Sequence, residues 1–280
     1  MRRIAMVGAA AILGVVAISE ARAQRRPPGR PPGFQRYFGN PDDFYQPPEF
    51  AGNPAYDGHF VFARIKYRGF EHFGPEGPGW SHDYPRAEYD FTRILRDITI
   101  VNPFVEKGNM VGGVIVALDD PLLFKYPVSY MSEPGGWNPN ERELAAFRSY
   151  LLKGGFMIFD DFREGWRGQY DWTHLKQIVS VAMPKAKWIQ LTGSEPIFDA
   201  FFKIDLKLTV NSTSAYGTEP PTYWGIYENN DPKKRLMLVA NVDNDIGESW
   251  QWSASGFVPI TSSNELYKLG INYIIYALTH

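Results

Sequence analysis

The chain has 280 residues, of which 44% are hydrophobic, with 29 basic and 31 acidic side chains and no cysteine. This composition is ordinary for a globular protein, and the slight excess of acidic residues disfavours binding to nucleic acid, which needs a basic face. The lack of cysteine excludes disulfides, thiolate metal ligands and a cysteine nucleophile.

The first 23 residues have the pattern of a secretory signal peptide. A basic start precedes a short apolar run, and Ala21-Arg22-Ala23 matches the small-residue cleavage pattern before Gln24. We therefore expect cleavage near Ala23 and a periplasmic or secreted mature protein that has no transmembrane segment. The apolar run is shorter than the ~20 residues of a membrane-spanning helix, which disfavours the alternative of an uncleaved anchor.

A proline-, glycine- and arginine-rich arm is predicted over residues 24–54. Its prolines cannot donate backbone hydrogen bonds and no apolar face recurs, so we expect an extended or disordered tether. Its four arginines could contact an anionic surface, although a solvated linker is the favoured interpretation. Residues 55–280, which carry 22 basic against 27 acidic side chains, are predicted to form a single α/β domain.

Strand and helix signals alternate along this domain. Short apolar or alternating runs mark strands, and capping residues followed by apolar residues at three- and four-residue spacing mark helices. Outside residues 138–161, the predicted elements are, in chain order, a strand at 59–67, a helix opening at Asp83-Tyr84-Pro85, a strand within 113–118 or 126–131, a helix from Asp171 to before Pro184, a short strand at 188–191, a hairpin of 223–227 and 235–242 at one sheet edge, and a last helix capped by Ser262 and Glu265.

Residues 138–161 give the clearest signal of a helix followed by a strand. Asn138 is the predicted N-cap, Glu141 completes a capping box, and Gly154 ends the helix. Residues 156–159 are a continuous apolar run, which is typical of a strand covered on both faces, as in a parallel sheet. The sequence therefore predicts an α/β fold with a mostly parallel central sheet.

Asp160 and Asp161 are the strongest candidates for a site because they follow this apolar run. Ligands of open α/β sheets bind beyond the carboxyl ends of the strands, and strand geometry predicts the two side chains on opposite faces. His82, beside Asp83 in the loop after the first strand, could reach the same edge and take part in acid–base chemistry. Glu164 is nearby in the sequence. The favoured alternative is structural: the carboxylates cap the following loop or pair with an arginine.

The other candidates carry weaker signals. Asp243 and Asp245 are predicted metal ligands, but their spacing departs from that of a calcium loop, so a hydrogen-bonded turn is favoured. Ser132 and Glu133 follow another predicted strand without the G-x-S-x-G frame of a nucleophile turn. The ring of Trp250 could stack on a sugar, although a tryptophan packed against the core is the commoner case. No cofactor is expected, and a divalent metal is left open as an alternative.

Six segments of the chain resemble motifs of the bacterial family known as domain of unknown function 4159, and they occur in the same order as in that family. They cover about residues 58–280 and read HFVFARIKYRG, DDPLLFKYPVSYM, ELAAFRSYLLKGGFMIFDDF, EPIFDAFF, LMLVANVDNDIGESW and LYKLGINYIIYALT. The resemblance implies a flavodoxin-like three-layer sandwich similar to the class I glutamine amidotransferases, and an association with membrane-associated envelope proteins. It implies no activity, and a glutaminase of that fold needs a cysteine nucleophile, which this chain lacks.

We therefore expect an exported binding or assembly module of the envelope that is not catalytic. The alternative is a hydrolase that acts on a carbohydrate or cell-wall substrate through Asp160 or Asp161 with His82, with or without a metal. The structure can distinguish these two hypotheses, because the hydrolase requires these residues and the region of Asp243 to converge in one pocket, whereas the binding module does not.

Overall fold

The structure, a computed structural model, describes residues 53–69, 78–106, 109–110, 113–165, 170–210 and 220–280. The predicted signal peptide and all but the last two residues of the predicted arm lie outside these ranges. None of the helices within them is both long and apolar enough to cross a membrane.

The centre of the fold is a mostly parallel sheet, which has seven strands within the described residues. From one edge to the other these are β4 (Val114–Ala117), β1 (Ala63–Lys66), β5 (Val128–Ser132), β6 (Phe156–Phe162), β9 (Leu236–Val242), β8 (Thr222–Tyr227) and β7 (Ile189–Leu191). The first five run parallel, and β8 is antiparallel to both β9 and β7. A separate antiparallel pair joins β2 (Val105–Glu106) to β3 (Asn109–Met110). The predicted α/β fold class is confirmed.

The order of the parallel strands places the first strand of this sheet between the second and the third. β1 pairs with β4 on one side and with β5 on the other. This is the order of flavodoxin-like folds, whose ligands bind beyond the carboxyl ends of the strands, at the point where the winding reverses. The architecture is compatible with the flavodoxin-like three-layer sandwich that the resemblance implies.

Helices cover both faces of the sheet and enclose two apolar cores. On one face lie α1 (Arg86–Ile98), α4 (Ile246–Gln251) and α5 (Ile260–Thr279), and on the other lie α2 (Glu141–Leu152) and α3 (Asp171–Ala182). Phe91 and Tyr273 are fully buried on the first face, and Phe147 and Leu175 on the second. With both faces covered, the parallel strands are buried along most of their length, as their apolar sequences require.

Helix α2 begins two residues later than predicted. Its N-cap is Asn140, whose side chain accepts hydrogen bonds from the backbone N–H groups of Arg142 and Glu143, while the Glu143 carboxylate accepts one from the N–H of Asn140. The sequence NPNERE contains the same capping box twice, two residues apart. The N–H of Asn138 instead donates to the carbonyl of Arg68, which keeps this residue outside the helix.

Three other elements differ in detail from the prediction. The hairpin of β8 and β9 forms, but β7 pairs outside it and is the edge strand. Helix α5 begins at Ile260 after Pro259, without a side-chain cap, rather than at Ser262. Strand β6 continues to Phe162, so Asp160 and Asp161 lie within the strand and not beyond it.

Candidate functional site

Four side chains meet at the carboxyl ends of the parallel strands. His82, Asp83, Asp161 and Asp245 each offer one nitrogen or carboxylate oxygen, and these four atoms lie within 4.8 Å of one another. We call these residues the acidic cluster. Asp161 belongs to β6, Asp245 follows β9 as the N-cap of α4, and the other two precede α1. Segments that are far apart in the sequence are thus joined at one place.

His82 and Asp161 form the closest pair in the acidic cluster. Nδ1 of His82 lies 2.5 Å from Oδ2 of Asp161 and 3.5 Å from Oε1 of Glu133. The side chain of Asp161 is 5% exposed, whereas those of His82 and Glu133 are 25% and 40% exposed. The imidazole therefore lies between the buried carboxylates and solvent, with Glu133 at the rim.

Asp83 is the member of the cluster whose carboxylate lacks hydrogen bonds. It is only 4% exposed, and neither of its carboxylate oxygens accepts a hydrogen bond from any residue that the structure describes. Burial raises the pKa of its carboxyl well above the ordinary range; His82 opposes this rise and the charge of Asp161 adds to it. A buried polar group without a partner is costly, so this carboxylate requires an explanation.

Asp245 combines a structural contact with a place in the cluster. It is 1% exposed, and its Oδ1 accepts a hydrogen bond of 2.7 Å from the N–H of Glu248, which caps α4. Burial raises the pKa of its carboxyl well above the ordinary range, and the charges of Asp161 and Asp83 raise it further. Three carboxyl groups thus share a site of low dielectric constant, where like charges repel strongly.

Asp160 is held by the scaffold. Its Oδ2 accepts hydrogen bonds from the hydroxyl of Tyr130 at 2.6 Å and from the N–H groups of Ile246 and Gly247 at 2.9 and 3.1 Å. Its Oδ1 accepts one from the side-chain amide of Asn241 at 2.9 Å. Burial raises the pKa of this carboxyl to about 6, against these stabilising hydrogen bonds. The residue ties the start of α4 to β6.

Strand β6 is irregular at Asp161. This residue has φ +58°, and the register between β6 and β9 shifts between Phe159 and Phe162. The regular alternation that predicts Asp160 and Asp161 on opposite faces is therefore interrupted, and both carboxylates reach the region where α4 begins. Asp83 and Glu133 also have positive φ, at 64° and 46°, a conformation that is uncommon for residues other than glycine and that is enriched at functional sites.

Arg64 anchors the segment that carries His82. Its guanidinium is 1% exposed, pairs with Glu88, and donates hydrogen bonds to the backbone carbonyls of Trp80 at 3.1 Å and His82 at 2.8 Å. It also lies 4.8 Å from the centre of the Tyr130 ring. The alternating pattern of β1 gives no sign of this role, since it predicts that a charged residue in a strand faces solvent.

Ser132 is not arranged as a nucleophile. It is fully buried, and its hydroxyl donates a 3.3 Å hydrogen bond to Oδ2 of Asp161. In a catalytic triad the serine contacts a histidine, which the carboxylate then orients, whereas here the carboxylate stands between the hydroxyl and His82. The contact positions Asp161 within the cluster.

Asp243 and Glu164, which the sequence predicts as site residues, belong to a neighbouring capping network. Oδ1 of Asp243 accepts a 3.0 Å hydrogen bond from the N–H of Glu164. The carboxylate of Glu164 in turn accepts hydrogen bonds from the N–H and hydroxyl of Thr173, in the first turn of α3. Of the two aspartates predicted as metal ligands, only Asp245 is therefore a member of the acidic cluster.

Trp250 lies in the core, and its ring is not exposed for stacking on a ligand. It is 1% exposed, its ring centre lies 4.3 Å from that of Phe91, and its indole N–H donates to the carbonyl of Leu266. Its burial follows from its position in helix α4, which packs against the core.

The sequence predicts three of the four members of the cluster as site residues, and notes Asp83 only as the neighbour of His82. The importance of Asp83 comes from burial without a hydrogen-bonding partner, which only the fold produces. Gly247 was also missed. A Cβ at this position would lie 2.7 Å from Oδ2 of Asp83 and 2.7 Å from the hydroxyl of Tyr130, so α4 approaches the cluster by its backbone.

The strand order and this group of carboxylates define an α/β protein with an acidic site at the carboxyl edge of a flavodoxin-like sheet. The chain belongs to the family described as domain of unknown function (DUF4159), whose family model matches residues 61–278. This match confirms the family that the sequence motifs resemble. No curated protein matches the chain.

Proposed function

We propose that this protein is an exported binding module of the bacterial envelope, whose ligand is a cation or carries a positively charged group. The observation that supports this function is the acidic cluster itself. It brings together three buried carboxyl groups and one imidazole within 4.8 Å, and one of the carboxyl groups has no hydrogen-bonding partner among the described residues.

A positive ligand is the complement that this charge distribution needs. Buried carboxylates close to one another either take up protons or gain a positive partner, because burial and mutual repulsion both disfavour the ionised form. Arg64 is a nearby cation, but its guanidinium pairs with the buried Glu88. A bound cation would offset the repulsion among the three carboxyl groups and favour the ionised form of Asp83 and Asp245, whose pKa values burial raises.

Binding is favoured over turnover because two of the predicted site residues, Asp160 and Ser132, have other uses. Asp160 accepts four hydrogen bonds from the scaffold, and the hydroxyl of Ser132 contacts a carboxylate. Neither group has the geometry of a nucleophile next to its base.

Export and a place in the envelope are part of the same proposal. The pattern of residues 1–23 supports secretion, and the basic arm over residues 24–54 supports a tethering role close to an anionic surface or an envelope protein. The arm and the acidic cluster then have separate tasks, in attachment and in ligand binding.

A thermal-shift experiment tests this function on the mature chain, residues 24–280. The probes are MnCl2, CaCl2, spermidine and arginine, each compared with NaCl at equal ionic strength. We expect at least one probe to raise the Tm of the wild type and of Asp243→Asn, and to leave that of Asp83→Asn unchanged. A response to none of the probes, or an equal response in all three proteins, would contradict the proposal.

A hydrolase is the second candidate, and the His82–Asp161 pair supports it. A carboxylate 2.5 Å from Nδ1 can orient an imidazole as a general base for an attacking water. The expected substrate class is a carbohydrate or cell-wall polymer. Turnover of such a substrate that is lost in both His82→Gln and Asp161→Asn would establish this activity, and a panel of glycan and peptidoglycan substrates that stay intact would leave binding as the function.

A further inference from the structure

We propose that the acidic cluster is a binding site for a divalent metal ion, held by the carboxylates of Asp83, Asp161 and Asp245 and by the imidazole of His82. This inference rests on the proposed function and specifies its ligand. A metal ion is small enough to bind all three carboxylates at once. An ammonium or guanidinium group of a larger ligand is bulkier and suits this close spacing less well.

The spacing of the four donor atoms suits a metal ion. Oxygen ligands lie about 2.0–2.6 Å from a bound Mg²⁺ or Ca²⁺, so donors on opposite sides of such an ion are roughly 4–5 Å apart. The donor atoms of the cluster all lie within 4.8 Å of one another. One ion at their centre therefore reaches all four with side-chain adjustments alone.

Asp83 provides an independent reason to expect a ligand. Only 4% of its surface is exposed, so it is more than nine-tenths buried. Neither of its carboxylate oxygens accepts a hydrogen bond from the residues that the structure describes. Asp160, buried at a similar depth nearby, accepts four hydrogen bonds. The scaffold thus satisfies one carboxylate completely and leaves the other directed at the cluster, where a metal ion would complete its coordination.

The donor set indicates which ions bind best. Carboxylates suit Mg²⁺, Ca²⁺ and Mn²⁺, whereas an imidazole favours transition metals such as Zn²⁺. Three carboxylates with one imidazole therefore fit Mn²⁺ or Zn²⁺ better than Ca²⁺ or Mg²⁺. The half-exposed Glu133, whose Oε1 is 3.5 Å from Nδ1 of His82, stands at the rim where the ion would enter.

Isothermal titration calorimetry tests the site on the mature chain after treatment with EDTA and removal of the chelator. MnCl2 and ZnCl2 are titrated separately, with CaCl2 and MgCl2 as comparisons. We expect one Mn²⁺ or Zn²⁺ per chain. Replacing a direct ligand should weaken binding by at least about 100-fold, because even second-shell changes cost 10- to 100-fold.

The variants are chosen so that folding is preserved. Asn tolerates the positive φ of Asp83, and it is a good N-cap in place of Asp245, so Asp83→Asn and Asp245→Asn remove one charge each with little change in shape. Asp243→Asn is the matched control, because it removes a carboxylate with positive φ that lies outside the cluster. Its affinity should stay within about threefold of the wild type, as expected for a change outside the ligand shell.

The outcomes separate this inference from the proposed function. If neither Mn²⁺ nor Zn²⁺ binds, or if both cluster variants bind as the wild type does, the metal site is excluded. Stabilisation by spermidine or arginine in that case would leave the cation-binding function intact. Tighter binding of Ca²⁺ than of Mn²⁺ would overturn the part assigned to His82. Should Asp83→Asn fail to fold, His82→Gln carries the test, with the loss of at least about 100-fold expected for a direct ligand.

Discussion

The carboxylates of Asp160 and Asp161 are adjacent in the chain but belong to two different networks. Asp160 accepts hydrogen bonds from Tyr130, Asn241 and the first N–H groups of α4. Asp161 lies 2.5 Å from His82 and belongs to the acidic cluster. A change of backbone conformation to φ +58° between one residue and the next allows this division. Substitutions at the two positions should therefore affect stability and binding separately.

Asp160→Asn should lower the free energy of unfolding by roughly 2–4 kcal/mol, because an amide group cannot accept all four hydrogen bonds and leaves buried donors without partners. Urea unfolding at constant m-value measures the loss. The folded fraction should still bind Mn²⁺ within about threefold of the wild type. A loss of stability below about 0.5 kcal/mol, as for an ordinary surface substitution, would show that Asp160 is not a scaffold residue.

Arg64→Met should destabilise the protein by roughly 3–5 kcal/mol, since it leaves the fully buried Glu88 without its partner. Glu88→Gln in the same chain should recover part of this loss, and urea unfolding of the four proteins of the double-mutant cycle measures the coupling. Additive effects of the two substitutions would argue against a coupled pair. Metal affinity should also fall in Arg64→Met, because the hydrogen bond that holds the backbone of His82 is lost.

Gly247→Ala should weaken Mn²⁺ binding by at least about 10-fold, a loss typical of a disturbed second shell. The added Cβ would come within 2.7 Å of Oδ2 of Asp83 and displace this carboxylate. Gly136→Ala is the control, because the nearest atom to its Cβ would be 3.8 Å away, at ordinary contact distance. Titration calorimetry compares the two. Equal affinities in both variants would place Asp83 outside the metal site.

The full chain, expressed in a Gram-negative host, should be recovered from the periplasm with Gln24 as its first residue. The basic start, the short apolar run and the Ala21-Arg22-Ala23 motif together predict this processing. Intact-mass spectrometry of the periplasmic and cytoplasmic fractions measures it. Recovery of the unprocessed chain from the cytoplasm alone would contradict export.

Elements with their own chemical markers could be predicted from the sequence. The apolar run at the start of β6 and the left-handed Gly154 after α2 are local signals, and both predictions hold in the structure. The start of α2 was misplaced because NPNERE offers two equivalent capping boxes. Only the bond from the N–H of Asn138 to the carbonyl of Arg68, a contact between distant segments, decides between them.

The site could be predicted only in part, because its parts come from separate segments. Asp161, His82 and Asp245 were recognisable as polar residues near the ends of predicted strands or in the loops beyond them. The burial of Arg64 and the unpaired carboxylate of Asp83 depend on how α1 and its preceding loop pack against β5 and β6, and no local pattern encodes that packing. The same holds for Trp250, whose burial follows from the helical conformation of its segment.

The most direct test of the account is the position of a bound metal in a crystal. Crystals of the mature protein soaked in MnCl2 should show an anomalous difference peak about 2.0–2.4 Å from carboxylate oxygens of Asp83, Asp161 and Asp245 and from a ring nitrogen of His82. Two results would contradict the account. One is clear density for these four side chains without an anomalous peak, and the other is a peak next to Asp243 instead of the acidic cluster.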